Sequence, residues 1–425
     1  MFLAETVLTP ADEILLRNLQ PIQRPTKLEK ELHTPPTPEA TSDSNTLLQL
    51  ADLTDSTSKH FQPIIFTSWD NTQLPPWFEA FIVRPYVYVA SHAVRKPSDI
   101  VYVSHLLVLS LIGLPSQVLL FVRFSWIHAI VHWMFVVYFV GPYSIITHHH
   151  VHGPGILSAS CGWVDVLFPY ILGPMMGQTW NSFYYHHKHH HIEDNGPDDL
   201  SSTIRYQRDS ALDLSIYLAR FVFLIWFELP LYYIRKGRSA LGIKYFAWEG
   251  ASYALIVLLT RYHWRAGLMT LIIPLIQWRI AVMTNNWAQH TLVDEVDPTS
   301  SFRSSITIID VVANRHGLND GYHTSHHLSP LRHWREHPFA FAKSKARYAD
   351  NAAITLKNVD FIKLAIFLCR KDYDYLAECL VPMGEQTSMS KAEIASMLRR
   401  KTAKFSEAAI EQKFGCKQPS LPSTK

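Results

Sequence analysis

The residues from Tyr185 to Asp199 set five imidazoles and five carboxyl or amide side chains within fifteen positions. So dense a supply of donor atoms is chemistry rather than core packing, and the chemistry imidazoles perform in numbers is metal binding. On a helix, His187 shares a face with His190 and His191 at i+3 and i+4. His186, His189 and His190 satisfy the same H-x2-H-H spacing. The same interval finds the rest of a ligand set: His148 and His152 lie four apart, His323 is followed by His326 and His327, and Asn286 precedes His290 by four. These runs supply about nine well-placed nitrogens, more than one zinc takes, so two metals suit them better than one. Read singly, each run has a plainer meaning. Box-like surface histidines collect stray zinc, His149 and His150 point off the His148 face as boundary polar residues, and Asn286 could be a capping or interhelical amide. Their ordered recurrence argues for one centre.

Together these motifs resemble the integral-membrane non-haem di-iron fatty acid desaturases and alkane hydroxylases. The pattern of that family is H-x3-H or H-x4-H, then H-x2-H-H or H-x3-H-H, then H-x2-H-H, with an extra histidine often four residues after an asparagine. All four features occur here in order over about 180 residues, and the run from His323 to Pro330 also looks like the third box of alkane monooxygenases. The resemblance implies an all-α integral membrane protein with about four transmembrane helices and a cytosolic, His-rich, di-metal helical cap. It assigns His148, His152, His187, His190, His191, Asn286, His290, His323, His326 and His327 to the metals, Asn286 through a bound water. It favours His187 over His186 and His189, because Asp199 then follows the His190–His191 pair by eight residues, where the family commonly has an acid.

Imidazoles alone suit iron, zinc or copper; the resemblance selects two ferrous ions. It further implies O2 as co-substrate, a fatty acyl or other long alkyl chain as substrate, and placement in the endoplasmic reticulum with the active site facing the cytosol. Neither a haem-binding H-P-G-G run nor a Gly-rich nicotinamide fingerprint is present, and His337-Pro338-Phe339 departs from the former at once. A separate electron donor is therefore expected, and the resemblance implies cytochrome b5 with its reductase. Desaturation is the expected reaction, and hydroxylation at the same centre is the alternative, decided by where the carbon sits relative to the metals. A metal-binding transporter is the competing class, but His105, His128 and His132 are a thin supply of ionisable groups for a transmembrane path. A scaffold that had lost its chemistry would be expected to lack a box, and none is missing.

The chain of 425 residues is 48% apolar with a net charge of +3. Its dispersed basic residues argue against a nucleic-acid partner. Cys161, Cys369, Cys379 and Cys416 have neither zinc-ribbon spacing nor the density of a disulfide framework, and read as reduced thiols facing cytosol. Three regions are expected: a polar, largely disordered stretch over 1–98, a membrane-embedded catalytic part over 99–338, and a soluble helical tail over 339–425. The first 60 residues lack sustained periodicity and include the run Thr34-Pro35-Pro36-Thr37-Pro38. Met1 to Asn18 has no basic start before an apolar run, so it reads as neither secretory signal nor transit peptide.

Elements must bring the boxes to one side of a bilayer about 30 Å thick. Ile100 to Val122 and Phe124 to Thr147 read as a hairpin of spans turning at Arg123 and ending at the first box. Cys161 to Trp180, broken by Gly173, Pro174 and Gly177, reads as interfacial. Of three further apolar stretches, parity allows two to cross before His290. Arg220, Glu228 and Pro230 predict that Leu212 to Ile234 lies on the surface, leaving Tyr245 to Thr260 and Gly267 to Thr284 as spans. Arg235, Lys236, Arg238 and Lys244 then stay on the cytoplasmic side. Glu193, Asp194, Asp198, Asp199, Asp294 and Asp320 are candidate acceptors for imidazole N–H groups. His128 and His132 are expected to bond between helices, Glu393 to Lys404 to form an amphipathic helix, and His316, His333 and His337 receive no role.

Overall fold

The computed structural model describes residues 8–19, 38–67, 74–180 and 182–415. It is mostly helical. In chain order, α1 is Pro10–Asn18, α2 Pro38–Thr54, α3 Arg84–Ala93, α4 Pro97–Val122, α5 Trp126–His152, α6 Gly162–Ile171 and α7 Ser182–Glu193. Then come α8 Ala211–Arg235, α9 Ser239–Tyr262, α10 Trp264–Gln289 and α11 His323–Leu328. The tail adds α12 Phe361–Cys369 and α13 Lys391–Lys401. The last of these matches the expected amphipathic helix and opens on a capping box in which Ser390 and Glu393 bond each other's backbone.

Among the described residues, four helices are long and apolar enough to cross a membrane: α4, α5, α8 and α10. By that measure α8 takes the place expected for α9, whose apolar run is interrupted by Lys244, Glu249 and Arg261. The contacts of the two helices explain the difference. Near the start of α8 the Tyr217 hydroxyl donates to Ser201, and near its end Tyr232 donates to Glu193 while Lys236 pairs with Glu193 and Asp198. Both ends of α8 thus touch the layer that carries the histidines. Helix α9 instead leaves that layer beside Tyr185, where Tyr245 packs, and ends at His263, whose ring lies 5.5 Å from that of Phe124 at the α4–α5 turn. The two helical hairpins therefore turn beside each other, away from the histidines. Glu249 is tolerated within α9 because it is fully buried against Arg279 of α10 and accepts from Tyr253 and Thr179. A charge in a bilayer-facing bundle is stable only when paired and hydrogen-bonded in this way.

Helix α6, with ten residues, is about 15 Å long, too short to span. His128 and His132 both bond Ser116 across the α4–α5 interface, as expected of polar groups within a span.

A two-stranded parallel ribbon was not anticipated: β1 Ile306–Ile309 pairs with β2 Ile354–Lys357 in the register Ile306 to Ile354. The connection between these strands contains α11, so the ribbon is the seat of the third box. The amide of Ile308 donates to Gly321, and a Cβ at position 321 would meet Asn314 Oδ1 at 2.0 Å, so only glycine allows this approach.

The tail is not detached from this layer. Ile354, Leu356, Leu364 and Leu398 share a core with Ile306, Met283 and Trp287, and Lys401 forms a buried ion pair with Asp294. Within the N-terminal region expected to lack order, α1 and α2 are helices, and α1 is anchored because Asp12 is buried against the Tyr322 hydroxyl and Asn314. Tyr322 is the residue before the third box. The Thr34–Thr37 part of the proline run and Cys416 lie outside the described residues.

Candidate metal centre

Nine of the ten expected ligand side chains gather into two groups, and in each group one nitrogen from every ring lies within 4.8 Å of all the others. The first contains His148 and His152 from the end of α5, His187 and His191 from α7, and His326 from α11. The second contains His190 from α7, His290 at the C-terminal end of α10, and His323 and His327 from α11. Helix geometry explains the sorting. Residues four apart lie about 40° apart around an α-helix and adjacent residues about 100°. So the outer pair of each H-x2-H-H run faces one group while its middle histidine faces the other. In α7 the pair His187 and His191 serves the first group and His190 the second; in α11 the pair His323 and His327 serves the second group and His326 the first. The two groups are thus related by an approximate exchange of α7 and α11. By the same relation, Asn286 and His290 correspond to His148 and His152.

The spacings fit metal ligation. Two nitrogens each about 2.1 Å from a shared ion and at right angles would lie about 3 Å apart. The Nε2 atoms of His148 and His326 are 2.9 Å apart, those of His152 and His187 2.7 Å, those of His191 and His326 3.1 Å, and those of His290 and His323 3.1 Å. In the second group Nε2 of His190 and of His327 are buried with no hydrogen-bond partner, which a neutral polar atom tolerates poorly unless a ligand meets it.

Not every box histidine joins. His186 bonds the Ser201 hydroxyl, and His189 places Nε2 3.1 Å from the carbonyl oxygen of Asp198, so both hold the loop after α7. His149 meets the Tyr102 hydroxyl, and His150 lies 4.0 Å from Asp165. Asn286 is buried beside the second group and its amide nitrogen donates to Ser201 and Tyr217.

The carboxylates divide in the same way. His190 Nδ1 is 2.7 Å from Asp199, and His327 Nδ1 is 2.9 Å from Asp194. Asp194 and Asn195 adopt left-handed conformations directly after α7, which folds the acidic turn back onto the rings, and Asp and Asn are the side chains that tolerate this best. Asp199 also accepts from the amides of Asn195 and Ser201. Glu193 and Asp198 are spent on Tyr232 and Lys236, Asp294 on Lys401 and Arg303, and Asp320 on the amides of Asn285 and Gln289.

Burial, then repulsion among neighbouring rings, holds His187, His191, His290, His323 and His326 well below the usual imidazole range, so they are neutral at pH 7 with lone pairs free for a metal. At His190 burial acts the same way, but Asp199 outweighs it and raises the value. Burial works against ionising Asp199 and Asp194, yet His190 and His327 respectively lower both. Asp320 is pushed up to about 6 by burial, which outweighs the opposing bonds from Asn285 and Gln289.

A cavity of about 740 Å³ reaches both groups, touching His148, His187 and His191 of the first and His190 and His323 of the second. Away from the histidines its walls are largely apolar, among them Phe183, Trp278, Val282 and Phe361. These wall residues carry no spacing signal; Phe361 reaches the cavity only because β2 delivers the tail to it.

Long apolar helices supporting two buried histidine groups, each able to hold a metal ion, define a multi-pass membrane protein with a paired metal-binding centre. The family model for fatty acid desaturases matches residues 124–356, more than half of the chain and inclusive of every ligand candidate. The chain belongs to the fatty acid desaturase family, a family of non-haem di-iron oxidoreductases. No curated protein and no solved structure matches it.

Proposed function

We propose that this protein is an O2-dependent membrane desaturase that introduces a double bond into a fatty acyl or other long alkyl chain. In this reading two ferrous ions sit in the two histidine groups, the first held by His148, His152, His187, His191 and His326, the second by His190, His290, His323 and His327. Asn286, standing where His148 stands in the other group, positions a water at the second ion. The observation that carries the reading is the largely apolar cavity ending on both groups at once, since an alkyl chain threaded there places C–H bonds beside the metals.

The ions supply the capacity to activate O2 against an unactivated C–H bond, which no side chain possesses. The chain's own residues do the rest. Asp199 and Asp194 hold the Nδ1–H of His190 and His327, which fixes each ring with Nε2 directed inward. Phe183, Trp278 and Val282 exclude water and hold the substrate extended.

Removing two hydrogens from adjacent carbons releases two electrons, whereas reducing O2 to two waters consumes four. Two electrons and two protons must therefore come from outside. We assign them to a separate donor, cytochrome b5 with its reductase, docking on the histidine-bearing face, and place the protein in the endoplasmic reticulum with that face cytosolic. Arg235 at the end of α8, and Lys236 and Arg238 between α8 and α9, support that orientation.

Expression in microsomes with mass spectrometry of the extracted lipids tests the reaction. The expected product lacks two hydrogens relative to its precursor, and purified protein is expected to turn over repeatedly only when the donor is added. A product heavier by one oxygen, or sustained turnover with NADH and O2 alone, would contradict the reading.

A further inference from the structure

The cavity has a second end, and its position indicates where the chain comes from. Besides the buried histidines, it is lined by Val137, Tyr138 and Gly141 of α5 and by Ala281 of α10, all exposed at the surface of their helices. From Tyr138 to His148 helix α5 runs about 15 Å, and from Ala281 to His290 the chain runs about 14 Å along α10. With α5 27 residues long, Tyr138 and Gly141 fall near the middle of the span, at a depth that lies within hydrocarbon about 30 Å thick. This end therefore faces lipid.

Helix α12 borders the cavity at its other end, where the ring of Phe361 lies 6.4 Å from that of His323. Phe361, Ile362 and Lys363 line the cavity, and the helix packs against α10 through Leu364, Ala365 and Leu368. Its other face presents Ile362, 63% exposed, and Ile366, 50% exposed. These are one turn apart, on a helix in which Lys363 is the one charged residue. Helix α10 likewise leaves Ile276 and Ile280 exposed, and paired isoleucines of this kind suit a bilayer better than water.

We propose that the cavity opens sideways into the bilayer between α5 and α10, and that the substrate is a chain carried by a membrane-resident lipid. The proposal rests on the reading of the cavity as the substrate site. It names the source of the substrate: lipid reaches the metals without leaving the membrane, and no water-soluble carrier is needed.

Position 141 provides the test, because a Cβ placed there meets no atom within 4 Å and a larger side chain can fill the opening without disturbing the helix packing. Full-length protein is reconstituted in vesicles containing a phospholipid with a photoreactive diazirine in its acyl chain. In parallel it is offered a diazirine-bearing acyl thioester of coenzyme A from the aqueous side. After illumination, labelled peptides are identified by mass spectrometry. The phospholipid is expected to label the cavity segments around Phe183 and Trp278, and G141F, or A281F from the facing helix, to reduce that labelling at least about fivefold while G141A leaves it unchanged. Cavity labelling by the thioester alone, indifferent to G141F and A281F, would overturn the lateral opening and leave the enzymatic reading standing. Labelling of the cavity by neither probe would overturn both.

Discussion

Replacing His327 with alanine is expected to abolish turnover and to remove about one metal ion per chain while the other stays bound. His327 is one of four imidazoles in the second group, and its ring spans the distance from that group to the Asp194 carboxylate. Truncation leaves three nitrogens around the second position and strips Asp194 of the imidazole that lowers its pKa. The first group, with five imidazoles and no shared side chain, keeps its full set. A reaction that needs both ions then stops, whereas the fold survives, since the core of Ile306, Ile354 and Leu364 lies behind α11 rather than in the metal site. His152→Ala is the mirror experiment for the first group. Metal analysis of the purified variants together with a product assay checks both, and wild-type turnover in the His327→Ala protein would sink the assignment.

The second large effect is expected at Asp199, through geometry rather than ligation. Its carboxylate is buried, receives Nδ1–H of His190 at 2.7 Å, and accepts from the amides of Asn195 and Ser201. Asp199→Ala removes the acceptor for three donors at once. The unsatisfied groups cost about 1–3 kcal/mol each where they stay buried, and His190 loses the partner that orients it. Losses of about 10–100-fold in metal affinity or activity are typical when such an orienting carboxylate is removed, and a loss at the upper end is expected here. Asp198→Asn supplies the contrast. That side chain is exposed, and its pairing with Lys236 is worth little in water, so iron content and activity should stay within about twofold of wild type. Equal losses from the two substitutions would mean that the loop as a whole, and not the Asp199–His190 bond, is what matters.

How much of this could be read in advance depends on the range of the interaction concerned. Spacing of three and four residues is a local property of a helix, so the ligand candidates stood out wherever His148, His187 or His323 repeats within one turn. Helix geometry also separates the outer pair of each H-x2-H-H run from its middle ring, but spacing could not settle which rings of other elements complete each group. That choice is made by how α5, α7, α10 and α11 pack against one another. Long-range pairings left even less trace. Strands β1 and β2 are four residues each, and an isoleucine-rich run of that length reads equally well as buried helix. Asp12 and Tyr322 meet across 310 residues, a pairing that no local pattern in the N-terminal region announces. Helix α8 marks a different limit. Its apolar content suits a span, while Arg220 and Glu228 argue for the surface, and the contacts of both its ends with the histidine-bearing layer resolve the conflict. Hydropathy counts each residue alone and cannot register those contacts.

The central claim is that two separate ions occupy two histidine groups, and iron content of the purified, full-length protein tests it most directly. Elemental mass spectrometry on protein from iron-supplemented cells is expected to give two irons per chain for wild type. His152→Ala and His327→Ala should each give about one, and the double variant about none. A single metal per chain in wild type, or its complete loss on removing either histidine alone, would contradict the account.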